Sequence, residues 1–279
     1  MSNPAVSAPT IGVFDSGFGG LTVLRALIER LPRARYAFLG DTARLPYGSK
    51  SRRTIARYAV ESAQFLAHEQ GAEFLVIACN TASALALDAI QQAVSVPVLG
   101  VIEPGASAAR DASRTGDVLV IATDATVQSH AYAAACHTLG LRALEKACPL
   151  LVPLVEEGWT DHPVTAEVIR IYLDELSADA AAHGLHADTL VLGCTHYPLL
   201  RPLIEQAVPA GMRVIDSAES AADAAVRLFN GRAAASAASA AQPTEILCFA
   251  TDSVEKFERL GSRFLGRPVG RVELVDLGG

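Results

Sequence analysis

The sequence predicts an α/β fold: two similar α/β domains with mainly parallel sheets, related by a pseudo-twofold. Three observations predict it. Short apolar runs alternate with longer helical patterns, the signature of parallel strands joined by crossover helices. The alternation restarts near residue 118. One plan occurs twice, at residues 74–90 and 190–204: an apolar strand, a small residue, a cysteine, one or two small polar residues, then a helix.

The elements follow in order. Residues 11–14 (IGVF) form a first strand, and the helix after it places Leu21, Leu24, Leu27, Ile28 and Leu31 on one face. Residues 36–39 form a second strand and 51–69 a helix. Residues 74–78 are a strand running into a helix that reaches Ile90, and 96–101 are another short strand. The second series has a strand at 118–122, helices at 127–139 and 166–181, a strand at 190–193, a helix at 198–208 and a strand at 213–215. Residues 233–243 (AAASAASAAQP) read as a flexible loop. An amphipathic segment at 253–264 and a strand at 272–274 close the chain.

Composition narrows the classes. At 279 residues and 51% hydrophobic, the chain has enough apolar surface for a sizeable core. The formal net charge is −7 with no Lys/Arg block, which excludes nucleic acid and anionic membranes as expected partners. No apolar run approaches the ~20 residues of a membrane span. Residues 1–10 have the polarity of a disordered tail, not of a signal peptide. Five cysteines with no CxxC pair argue against a disulfide framework or structural zinc, and for the reducing cytoplasm.

Open parallel sheets bind ligands outside the carboxyl ends of their strands. Those ends carry Asp15-Ser16-Gly17, Asp41-Thr42, Cys79-Asn80-Thr81, Thr123-Asp124 and Cys194-Thr195-His196. Cys136, Cys148 and Cys248 read as small core residues. Cys79 and Cys194 differ, because each sits where a strand gives way to a helix. Unpaired N–H groups and the helix dipole there favour an anion, so each thiol is expected to ionise more readily than usual. Two such thiols facing each other across a cleft could invert a carbon centre, one removing a proton and the other returning one on the opposite face. The DSGFGG turn is neither GxGxxG nor GxxxxGK[ST]; it reads as a tight turn whose Ser16 and N–H groups could hold a carboxylate. Tyr47, Asn80, Thr81 and Thr195 could serve a small polar ligand or simply cap turns. His196 could reach the cleft beside Cys194, and Glu156-Glu157 reads as a solvated turn unless one of them reaches it too. The same residues leave open a one-thiol hydrolase or amidase, with Cys194 and His196 as nucleophile and base, and a non-catalytic amino-acid-binding protein.

Several longer motifs go further: IGVFDSGFGGLTVL (11–24), LGDTARLPYGSKS (39–51), IACNTASA (77–84), CPLLVPLVEEG (148–158) and VLGCTHYPLL (191–200). With these, in this order, the chain resembles the glutamate racemases of the cofactor-independent aspartate/glutamate racemase superfamily. The resemblance covers residues 11 to about 217. It implies a first domain of residues 1–102 plus 217–279 and a second of residues 103–216, with the active site in the cleft between them. It implies that Cys79 and Cys194 are the two catalytic acid/bases, that Asp15 and His196 assist them, and that Glu156 contributes near the second. Substrate contacts would be Asp15, Ser16, Tyr47, Gly48, Asn80, Thr81, Thr195 and His196. It implies interconversion of L- and D-glutamate for bacterial peptidoglycan, with no metal, pyridoxal phosphate or nucleotide as cofactor. It leaves a homodimer open. Aspartate racemases are the nearest competitor, but tend to carry Glu where this chain has His196. One departure is Ala122, where the family commonly has glycine before Thr-x-Ala-Thr.

Overall fold

In the computed structural model, residues 9–229 and 244–278 are described. The Ala/Ser segment 233–243 lies outside the described residues, as does the expected tail except for its last two residues; Thr10 already belongs to the first strand. Two sheets form. The larger has the order β10-β9-β2-β1-β3-β4, from β1 (Thr10–Asp15), β2 (Arg35–Gly40), β3 (Phe74–Ile77), β4 (Val98–Gly100), β9 (Ile246–Ala250) and β10 (Val272–Leu274). The smaller has the order β6-β5-β7-β8, from β5 (Asp117–Ala122), β6 (Arg142–Ala147), β7 (Thr189–Gly193) and β8 (Arg213–Asp216). Every pairing is parallel.

Each sheet is built around one central strand. β1 pairs with β2 and β3, and β5 with β6 and β7. Both are buried along nearly their whole length, which is why they read as unbroken apolar runs and not as alternating ones. The helices connecting the first sheet are α1 (Leu21–Arg30), α2 (Arg52–Gln64) with a π-helical last turn (Phe65–Glu69), and α3 (Asn80–Ala93). Tyr36 of β2 closes the end of α1 by donating its hydroxyl to the carbonyls of Leu27 and Leu31.

Among the elements without an expected range from the sequence are α4 (Ile102–Ala112), β6, α7 (Leu151–Glu156), α10 (Ser217–Phe229) and β9. β6 is an edge strand with no fully buried position, so its sequence, RALEKA, lacks an apolar run. α10 is rich in small residues, and its buried Ala221, Ala222 and Ala225 let it sit against α1 and α4. There it completes a buried cluster that joins Ile11, Val13 and Phe38 of the first sheet to Leu119, Ile121 and Leu190 of the second.

The helix expected at 127–139 is broken. α5 (Asp124–Ser129) and α6 (Ala131–Thr138) meet at His130, which adopts left-handed φ 53° and ψ 24°. Ser129 makes the break locally, donating to the Thr126 carbonyl and accepting from the Ala131 N–H. α8 (Pro163–Ala182) starts on His162, whose Nδ1 accepts from the Val164 N–H, with Pro163 at the first helical position. The expected helix at 198–208 is a 3₁₀ turn (Tyr197–Leu200) followed by α9 (Arg201–Ala207). α11 (Val254–Leu265) is the amphipathic closing helix. No helix among the described residues is long and apolar enough to cross a membrane.

Asp188, just before β7, secures the amino-terminal edge of the smaller sheet. Its carboxylate accepts from the Arg114 N–H and the hydroxyls of Ser113, Thr115 and Thr189. Burial opposes the charge, but these donors outweigh it and hold the carboxyl at about 2, below its ordinary 3.8. The Asp188→Ala chain is expected to lose about 1–3 kcal/mol of stability, read from its denaturant midpoint. A depressed carboxylate stabilises above its unfolded pKa and stops doing so as pH falls through its folded one. The difference between wild type and Asp188→Ala should therefore be full above pH 4 and shrink towards pH 2.

Candidate active site

The carboxyl ends of β1, β3, β5 and β7 open on one cavity of about 250 Å³. From the larger sheet it is lined by Asp15, Ser16, Tyr47, Gly48, Cys79, Asn80 and Thr81. From the smaller sheet come Thr123, Asp124, Glu156, Cys194, Thr195 and His196. Every site residue that the resemblance implies thus faces the same space, whereas Asp41 and Thr42, just after β2, and Glu157 do not line it. Pro149, Val152 and Pro153 close the wall, the last two on α7.

The first thiol is placed by α3. Cys79 is its N-cap, accepting at Sγ from the Ala82 N–H (3.4 Å) and donating to Ser16 Oγ (3.3 Å). The expectation that this site makes the thiol more acidic is overturned. Burial, joined by the neighbouring Asp15 carboxylate, pushes Cys79 up to about 12, and the Ser16 and Ala82 contacts recover only part of that. One helix N-terminus does not offset the loss of water around a thiolate. Asp15 sits at the end of β1, with Oδ2 accepting from the Gly17 N–H (2.9 Å). Its other oxygen, Oδ1, is buried with no partner among the described residues. Burial raises the Asp15 pKa against the pull of His196 and of its own backbone donors. An unpartnered buried carboxylate oxygen beside a thiol suits a ligand cation.

The second thiol is placed differently. Cys194 does not cap an α-helix: it stands at the end of β7, and the next element is the 3₁₀ turn starting at Tyr197. Tyr197 fixes this edge by donating to the carbonyls of Ala122 and Cys148. The charged partner of Cys194 is a side chain, with His196 Nδ1 4.0 Å from the sulfur. His196 Nε2 lies 3.4 Å from Glu156 Oε1, an ion-pair contact without an aligned hydrogen bond. Lys256 of α11 stands 3.6 Å from the other Glu156 oxygen. Burial disfavours a charged imidazole, but contacts with Cys194 and Glu156 outweigh it and lift His196 to about 10. Glu156 is therefore no free turn residue; it ends α7 and faces the cleft with a side chain 22% exposed. Lys256 gave no signal in the sequence, where it is one charge on an amphipathic helix.

The glycine-rich turn has a packing reason. A Cβ placed on Gly19 would lie 2.4 Å from Thr195 Oγ1 and 2.7 Å from the His196 ring. Thr22 also donates to the Thr195 carbonyl. The turn after β1 is thus pressed against the segment carrying Cys194. On the opposite wall Thr81, Thr123 and Thr126 form a ring of hydroxyl contacts at 3.0–3.2 Å, joining α3 to the start of α5. Tyr47 donates to Asp41, which also pairs with Arg44.

Residues 11–225 match the profile of the Asp/Glu/hydantoin racemase family. The chain belongs to that family. A glutamate racemase of Koribacter versatilis is 55% identical, over 97% of this chain and 98% of the relative. The crystal structure of glutamate racemase isoform RacE1 from Bacillus anthracis superposes with a TM-score of 0.86 at 36% identity, covering 98% of this chain and 99% of that one. The Francisella tularensis glutamate racemase, solved in complex with D-glutamate, superposes at 0.85 with 34% identity and the same coverage. The cleft of this Asp/Glu/hydantoin racemase family member pairs two thiols in unlike surroundings: Cys79 beside a carboxylate, Cys194 beside an imidazole.

Two measurements test that asymmetry. In the ligand-free protein, alkylation of Cys79 by iodoacetamide, followed by peptide mass spectrometry, should be slow at pH 7.5 and accelerate through pH 10. Asp15→Asn should speed it, because a raising charge is gone; rapid labelling at neutral pH would refute the assignment. A raised histidine stabilises fully below its unfolded pKa, near 6.5, and loses that contribution as pH rises through its folded value. The fall in Tm between pH 7 and 10 should therefore be smaller in His196→Asn than in wild type.

Proposed function

We propose that this chain interconverts L-glutamate and D-glutamate, with Cys79 and Cys194 as the two proton-transfer groups, and that it supplies D-glutamate for bacterial peptidoglycan in the cytoplasm. The observation that carries the reading is the meeting of two thiol-bearing strand ends, one from each sheet, on one small cavity rich in hydroxyl and amide donors. It is supported by family membership and by relatives named glutamate racemase along nearly the whole chain.

The geometry supports a two-base reaction. One sulfur, as thiolate, takes the α-proton; the other, as thiol, gives a proton to the opposite face, and the reverse direction exchanges the roles. The Asp15 carboxylate receives the substrate ammonium, whose charge offsets the carboxylate that adds to burial in holding Cys79 protonated. The His196 imidazolium, held by Glu156 with Lys256 behind it, supplies the counter-charge when Cys194 gives up its proton. Ser16, Tyr47, Gly48, Asn80, Thr81 and Thr195 bind the two carboxylates and stabilise the negative charge that develops at the α-carbon. The two domains are residues 1–102 with 217–279, and residues 103–216.

Circular dichroism with L-glutamate, D-glutamate and L-aspartate, without added cofactor, tests the substrate. The signals of both glutamate enantiomers should decay to zero while aspartate holds; decay with aspartate alone would overturn the assignment. Cys79→Ala and Cys194→Ala should each lose at least about a thousandfold in activity, and deuterium from heavy water should enter the α-carbon of the inverted product. A one-thiol hydrolase would instead need only Cys194 and would form an acyl adduct.

A further inference from the structure

Tyr132 lies outside the cavity lining but touches it through one residue. Asn80, directly after Cys79, is buried, 3% exposed, and faces the cavity. Its Oδ1 accepts a 2.7 Å hydrogen bond from the Tyr132 hydroxyl. Its Nδ2 is buried and has no partner among the described residues. Tyr132 is itself fully buried, and among the described residues its hydroxyl has Asn80 Oδ1 as its one acceptor. A phenol can donate or accept, but with no other acceptor for its proton among the described residues the hydroxyl is satisfied only by the amide oxygen, which sets which end of Asn80 points where. The two Nδ2 hydrogens are left for an acceptor in the cavity.

The ring is held on two sides by missing side chains. A Cβ on Gly105 of α4 would stand 3.1 Å from Tyr132 Cε1, and one on Gly193 would stand 2.9 Å from Cε2. Gly193 ends β7 and precedes Cys194. Tyr132 therefore packs behind one thiol-bearing segment and bonds to the other. It is the second residue of α6, the helix that begins directly after the left-handed break at His130.

We propose that Tyr132 is a positioning residue that fixes the Asn80 amide with its NH₂ group towards a carboxylate of the bound amino acid. This rests on the glutamate-racemising reading of the cavity. Without the hydroxyl the amide can turn its oxygen to the cavity and meet the carboxylate with a lone pair instead of a donor.

The test is a double-mutant cycle on the full chain, with Tyr132→Phe, Asn80→Ala and the pair, measured as kcat/KM for racemisation and as Tm. Tyr132→Phe keeps the ring and its packing; it should lose about tenfold in kcat/KM. The pair should be no worse than Asn80→Ala alone, because a residue acting through Asn80 has nothing left to act on. Wild-type kcat/KM in Tyr132→Phe, or a pair that loses the product of the two single effects, would overturn the proposal. So would a Tyr132→Phe chain that does not fold, since the hydroxyl would then be holding the core. If the wild-type chain leaves optical rotation unchanged, the reaction assignment fails separately. The proposal then stands or falls on the rise in Tm that D-glutamate causes in wild type, which Tyr132→Phe must reduce.

Discussion

A parallel strand can be followed by another only through a crossover, so every strand of both sheets sends its carboxyl end to the same edge. That constraint collects the polar groups of this protein. β1 and β5 are central, and the loops after them and after their neighbours β3 and β7 are the ones that meet. The small residues of α10 and the close approach at Gly19 bring the two edges into contact. A single cavity can then be lined from both sheets.

The same closure sets the electrostatics. Groups that would ionise in water are held away from it, and each answers according to its nearest charge. Burial, joined by the Asp15 charge, holds Cys79 as a thiol; at His196 the contacts with Cys194 and Glu156 outweigh burial, and it keeps its proton. Two like sulfurs thus stand beside unlike partners, a carboxylate at Cys79 and an imidazole at Cys194. The unpartnered oxygen of Asp15 and the unpartnered amide of Asn80 are polar atoms buried at a cost that a ligand bearing an ammonium and carboxylates would relieve.

The legible parts of the chain were those with a short-range signature. The central strands, α1, α3 and α8 declared themselves by apolar runs and helical spacing. The residues that the resemblance singled out, from Asp15 to His196, line one cavity. Edge strand β6 was missed because an edge position does not require an apolar run. α10 was missed because its buried face is built almost wholly of alanine and serine, not of the large apolar residues that marked α1. The break at His130 and the 3₁₀ turn after Cys194 were missed because hydrogen bonds of individual side chains and tertiary packing override helical spacing.

By itself the sequence determined the α/β class, the strand-end position of both thiols and the residue types around them, because these follow from hydrophobic period and local turn chemistry. Only the tertiary structure decided the protonation of Cys79, the turn of Glu156 towards His196, the arrival of Lys256 behind it and the bond from Tyr132 to Asn80. Each depends on groups far apart in the chain, and on the exclusion of water between them, which no local pattern encodes.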